Sequence, residues 1–236
     1  MAPVTDRIVL IGLGGIGSQL LPSLVRYLSF RPAPRPLLVL VDGDAYEISN
    51  RSRQLFPEDA LGTNKAEALA QVFRDSGLAV QAIAEFVGPA NVGFVVREGD
   101  LCLLAVDNHP TRALVDRHIA GLTEVTLISG GNDETDGNVQ LVRRREGYSL
   151  DGHLTEIHPE IGLAAISEVM PGTGCAALAA ERPQLVVTNL MVASAMLNCL
   201  WAVIEQGSVP YSEVYLDVVH NAARSRSWFR VPAGAP

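Results

Sequence analysis

The chain has 236 residues, 48% of them hydrophobic and 19% charged, with a net charge of −8. That length suits one domain with a sizeable core, or one domain carrying a functional insertion. The acidic balance excludes the basic footprint of a nucleic-acid binder, and three cysteines without paired spacing exclude a disulfide framework or a zinc site.

The N-terminal stretch has no basic region before its apolar run, so it reads as a first strand, Arg7 to Ile11, and not as a signal peptide. Apolar residues at Ile16, Leu20, Leu24 and Leu28 predict a helix to about Phe30, with a local kink at Pro22. The Pro-rich residues 31–36 form a linker. Leu37 to Val41 is continuously apolar, as in a strand covered on both faces. A helix over Lys65 to Phe73 follows, then strands over Leu78 to Ala84 and Leu101 to Val106. Next come a helix over Thr111 to Ile119 and a fifth strand over Val125 to Ile128. Strands alternating with helices predict a doubly wound α/β fold with a mostly parallel sheet.

After Gly130 the pattern changes. Asn138 to Arg145 alternates like an antiparallel strand, and Arg143-Arg144-Arg145 reads as its solvated end. Residues 146–184 are rich in Gly, Pro, His and Glu with weak periodicity, the signature of a mobile, functional crossover. His153 and His158 within it read as surface residues. Leu185 to Ile204 is twenty residues without a charge. It is long enough to span a bilayer, but its Thr188, Asn189, Ser194 and Asn198, and the lack of a flanking basic cluster, favour a buried helix or a subunit interface. Strands over Glu213 to Val219 and Ser227 to Val231 complete the chain. No membrane span is expected, and the reducing cytoplasm is the natural location.

Gly12-Leu-Gly14-Gly15-Ile-Gly17 follows a strand and opens a helix. Glycines let the backbone approach phosphate, and the helix N-terminus offers free N–H groups and a favourable dipole. Asp42 ends the next strand, where it can bond ribose hydroxyls. A dehydrogenase shares these features, so an NAD oxidoreductase stays open on this evidence.

The following residues narrow the choice. Asp42-Gly43-Asp44 precedes Ser49-Asn50-Arg51-Ser52-Arg53-Gln54, and eleven positions beyond Gln54 comes Lys65. Asp107-Asn108 ends the fourth strand, with Arg112 beyond it. In order and spacing, from about Arg7 to Arg112, this series resembles the ubiquitin-activating (ThiF/MoeB/HesA) superfamily, and in particular its stand-alone bacterial ThiF-type members. The resemblance implies a single Rossmann-like adenylation domain over residues 1–236, with antiparallel C-terminal strands. It implies ATP and Mg²⁺ as cofactors, Asp42 on the ribose and Asp107 on the magnesium. Gly12, Gly14, Gly15, Gly17, Asp44, Asn50, Gln54 and Asn108 would complete the nucleotide site. Arg53 and Lys65 would act as catalytic cations, Arg suiting a bidentate contact and Lys a point charge. The substrate implied is the C-terminal glycine carboxylate of a ubiquitin-like protein, with a conjugating enzyme as a further partner and a homodimer as the assembly. A small-molecule, peptide or tRNA carboxylate, or an inactive nucleotide-binding scaffold, are the alternatives.

The chain departs from the family pattern in three respects. The arginine of an N-terminal arm has no counterpart in the six residues before Arg7, leaving Arg51 or Arg35 to do its work. Paired Cys-x-x-Cys motifs for structural zinc are absent from the sequence, as is a separate ubiquitin-fold or catalytic-cysteine domain. Cys102 and Cys199 lie in apolar runs and read as core residues. Cys175, between Gly174 and Ala176, resembles the cysteine that stand-alone members place ahead of a Pro-Gln and an Asn (here Pro183, Gln184, Asn189). Either a thioester or a packing role fits it.

Overall fold

Five parallel strands carry the fold, and their apolar continuity follows from burial on both faces. In the computed structural model, residues 5–163, 185–207 and 209–229 are described. The parallel strands are β1 (Arg7–Ile11), β2 (Leu37–Val41), β3 (Val80–Ile83), β4 (Leu101–Leu104) and β5 (Val125–Asn132). They lie in the order β3-β2-β1-β4-β5. The chain then reverses: β6 (Asp136–Arg145), β8 (Glu213–Asp217) and β9 (Ala222–Arg226) extend the sheet antiparallel, and β7 (Tyr148–Ser149) pairs with β6. A Rossmann-like sheet with antiparallel C-terminal strands is therefore what the chain builds.

Period-two alternation divides the core. Ile8, Leu10, Leu38, Leu40, Leu101 and Leu103 face one layer, formed by α1 (Gly15–Ser29), α2 (Lys65–Val72) and α7 (Val186–Gln206). Val9, Ile11, Val39, Val41, Cys102 and Leu104 face the other. That second layer holds α3 (Val92–Val95), α4 (His109–Ile119), α5 (Leu154–Ile157) and α6 (Pro159–Leu163). Helix α1 runs unbroken through Pro22. Cys102 and Cys199 are buried, as expected of core residues.

Helix α7 has the length and hydropathy of a membrane span, but it packs on α1, β5 and β6. Val192, Met196 and Leu200 on that face are fully buried, each contributing about 1.5–3 kcal/mol. Val187, Leu190 and Trp201 on the opposite face are 42–49% exposed.

Four expectations need correction. The last strand is Ala222–Arg226, not Ser227 to Val231. Asn221, with φ 48°, makes the turn, and its left-handed backbone sets the register Asp217↔Ala222. Arg143 is not solvated. It is buried, and its Nε and Nη2 donate to both oxygens of Asp151 at 2.8 and 2.9 Å. Residues 146–163 are ordered into β7, α5 and α6, while residues 164–184 lie outside the described residues.

The two histidines are also not simple surface groups. Asp116 accepts from Leu154 N and Thr155 N, so a side chain of α4 caps α5, and His153 Nδ1 bonds the same carboxylate at 2.9 Å. His153 Nε2 lies 2.8 Å from Ser149 Oγ, which also accepts from Arg144. His158 bridges Glu213 and Glu160 at 2.7 and 2.9 Å. Those carboxylates raise its pKa, the Glu213 hydrogen bond most of all, against the lowering effect of burial.

Candidate active site

The strand order reverses direction between β1 and β4, and their carboxyl ends open a crevice there. Gly12 leaves β1 with φ 88°, and a Cβ on it would lie 2.8 Å from the Ala105 backbone after β4. Only glycine fits both conditions. Gly14 is the N-cap residue of α1, and no side chain caps that first turn. Its donors are left for a ligand. Gly17, one turn in, packs on the Gly12 carbonyl.

Asp42 closes the loop from the side. Its carboxylate accepts from Leu13 N at 2.6 Å and Asp44 N at 2.8 Å. Burial raises its pKa, while the Lys65 charge and these two N–H donors oppose the rise. Each carboxylate oxygen can accept a further bond, so a ribose hydroxyl still fits.

Lys65 is buried and its Nζ lies 3.1 Å from Asp44 Oδ2. Asn64 places it, capping α2 through Ala66 N and Glu67 N. Asn50 is buried in the 3₁₀ turn Ile48–Ser52, and its Oδ1 accepts from Glu47 N. Gln54 is buried against Gly14, and its Oε1 has no hydrogen-bond partner among the described residues. A buried acceptor without a donor is costly, and a ligand hydroxyl or metal-bound water would satisfy it. Arg53 is half-buried beside Gln54, and no ion pair of its guanidinium is seen among the described residues.

Asp107 is exposed just beyond β4. Asn108 next to it caps α4, its Oδ1 accepting from Thr111 N at 2.9 Å. Arg112 is buried at the carboxyl ends of β4 and β5. It ties β4 to β5 through Ser129 Oγ and the Val106 and Gly130 carbonyls. Arg35 precedes β2 at the opposite edge of the sheet, where it is exposed and bonds the Gly77 carbonyl. Arg51 is exposed near the site and stacks on Phe56 at 5.0 Å. Cys175 lies outside the described residues.

The structure thus brings Gly12, Gly14, Gly15, Gly17, Asp42, Asp44, Asn50, Arg53, Gln54, Lys65, Asp107 and Asn108 to one edge of the sheet. Sequence comparison decides the family. The ThiF family model matches residues 4–231. The chain belongs to the ThiF family. Its relatives include the SAMP-activating enzyme E1 of Haloferax volcanii, 34% identical over 180 residues, a match covering 73% of this chain and 64% of that protein. Adenylyltransferase and sulfurtransferase MOCS3-1 of Zea mays is 32% identical over 156 residues, covering 65% of this chain and 29% of the relative. The matched region thus spans 64% or less of these relatives' length. Among solved structures, E. coli MccB with ATP superposes with a TM-score of 0.69 at 22% identity, covering 97% of this chain and 65% of that one. At that identity the likeness shows that the ThiF chain and MccB share a fold. Asn189, which the sequence marks as a polar break in an apolar run and as the Asn of the stand-alone members' pattern, lies beside Gly15 and bonds Asn132 at the end of β5.

Proposed function

We propose that this ThiF-family chain uses ATP to adenylate the C-terminal carboxylate of a ubiquitin-like protein. The observation that carries the reading is the convergence, at one strand edge, of an uncapped glycine-loop helix with Arg53, Lys65 and Asp107. An oxidoreductase site has no use for that group of charges. A carboxylate oxygen would attack the α-phosphorus, the bond to the β-phosphate would break, and pyrophosphate would leave. Charge spreads over phosphate oxygens during this step, so positioned cations and N–H donors supply most of the catalysis. The glycine loop holds the phosphates, Asp42 the ribose, and Arg53 the charge of the departing pyrophosphate. Lys65 is held by Asp44 until phosphate competes for it.

The residues fit magnesium. Asp107 is an exposed strand-end carboxylate, and magnesium is satisfied by one or two carboxylates together with phosphate oxygens and water. Bound there, the ion would neutralise phosphate charge. The ubiquitin-like substrate is supported by the motif series and by relatives named for activating and adenylylating roles. Thioester transfer to Cys175 is part of the same proposal.

One assay tests both steps. ATP–pyrophosphate exchange is expected with a Gly-terminated ubiquitin-like protein, together with a thiol-sensitive conjugate that Cys175→Ala lacks while keeping exchange. Tight NAD binding without any ATP response would end the adenylation reading. An unchanged conjugate in Cys175→Ala would end the thioester step alone.

A homodimer is proposed through the exposed face of α7. Val187, Leu190 and Trp201 lie at helical spacing around Ser194 and Asn198, and such stripes mark interfaces. Light scattering at micromolar concentration should return twice the chain mass. A monomer there, or a dimer undisturbed by Leu190→Glu, would exclude this face.

A further inference from the structure

Asn189 is fully buried, yet its amide nitrogen has no hydrogen-bond partner among the described residues. The side chain sits in the second turn of α7 but reaches across to the first residue of α1. A Cβ on Gly15 would lie 2.5 Å from Asn189 Nδ2, so glycine is required there to admit the amide. The orientation of the amide is fixed. Asn132 Nδ2, at the end of β5, donates to Asn189 Oδ1 at 3.1 Å. That bond occupies Oδ1 and leaves Nδ2, the amide atom nearest a Gly15 Cβ, without an acceptor among the described residues. Thr188 Oγ1 donates to the Glu134 carbonyl at 2.8 Å and anchors the same turn of helix.

Two independent features therefore meet at Gly15. One is the first turn of a fifteen-residue helix with no side-chain cap. The other is a buried donor without an acceptor, held against that turn by two neighbouring elements. A buried N–H left unpaired is unfavourable, and an anionic oxygen is the acceptor that both features suit.

We propose that Asn189 is a phosphate-binding residue of the nucleotide site, donating from Nδ2 to a phosphate oxygen seated at the N-terminus of α1. This rests on the adenylation reading and adds a residue from α7 to it. Nδ2 is screened from water in the free chain.

The test uses two variants of the full chain, with ATP and adenosine as probes in calorimetric titration. Asn189→Asp keeps the shape and still accepts from Asn132, but it offers no donor. Asn189→Leu removes the donor without adding charge. Both are expected to bind ATP about 10- to 100-fold more weakly, the loss of one hydrogen bond to a charged group. Adenosine affinity should hold in either folded variant, while the buried charge of Asn189→Asp lowers its melting temperature. If Leu or Asp disrupts the fold, Asn189→Ala removes the donor without bulk or charge and decides the matter. Unchanged ATP affinity in a folded variant would overturn the proposal while leaving adenylation standing. Equal losses for ATP and adenosine would also overturn it, because they would mark a packing role. A wild-type chain that bound no ATP would overturn both.

Discussion

Replacing Asp107 with alanine is expected to lower ATP–pyrophosphate exchange about 10³-fold, the several kcal/mol that one metal–carboxylate contact contributes to a transition state. The fold should survive. Asp107 is exposed and lies beyond the end of β4, whose own residues Leu101 to Leu104 are fully buried between β1 and β5. Thermal melting would confirm an intact chain, and exchange kinetics would report the site. Asp107→Asn should fall between the two, since it keeps one oxygen ligand without the charge. A folded Asp107→Ala variant with full exchange activity would remove this residue from catalysis and with it the magnesium assignment.

Asp151→Ala should cause the largest loss of stability of any single change discussed. Asp151 has 0% exposure and receives four hydrogen bonds: from Arg143 N, Arg143 Nε, Arg143 Nη2 and Ser212 Oγ. Removing it leaves the Arg143 guanidinium buried and unpaired, at a cost of about 3–5 kcal/mol. That is a large share of the ~5–15 kcal/mol that holds a domain together. The melting temperature should fall by about 10 °C. Replacing both partners with leucine should recover part of the loss, because two apolar side chains leave no orphaned charge. A single-alanine variant that melts with the wild type would show that the pair contributes nothing net.

What could be read from sequence follows from how local the cause is. β1, β2 and β4 were legible because strands covered on both faces must be apolar throughout. The glycine loop, Asp42 and Lys65 were legible because a phosphate crevice needs small residues and charges at set distances from strand ends. β9 escaped because it lies at an exposed edge: Ala222 to Arg226 carries no apolar alternation, and its register depends on the turn at Asn221. The short helices α5 and α6 escaped because their support is distant in sequence, in Asp116 for one and Glu213 for His158 beside the other. Arg143 was misread for a similar reason. Three adjacent arginines look solvated until the strand turns and brings Asp151 over one of them. In the site itself, the sequence marked Asn189 as a polar break in an apolar run and as the Asn of the stand-alone members' pattern, and neither signal says what it touches. Its contact with Gly15 exists only once α7 lies beside α1.

The arginines of β9 carry one more consequence. Arg224, Ser225 and Arg226 stand exposed along β9, which has no outer neighbour among the described residues. An open edge is a template on which a second chain can add its own strand without limit. Two copies meeting there antiparallel would set these guanidinium groups against one another, and the repulsion would stop the sheet from growing into a fibre.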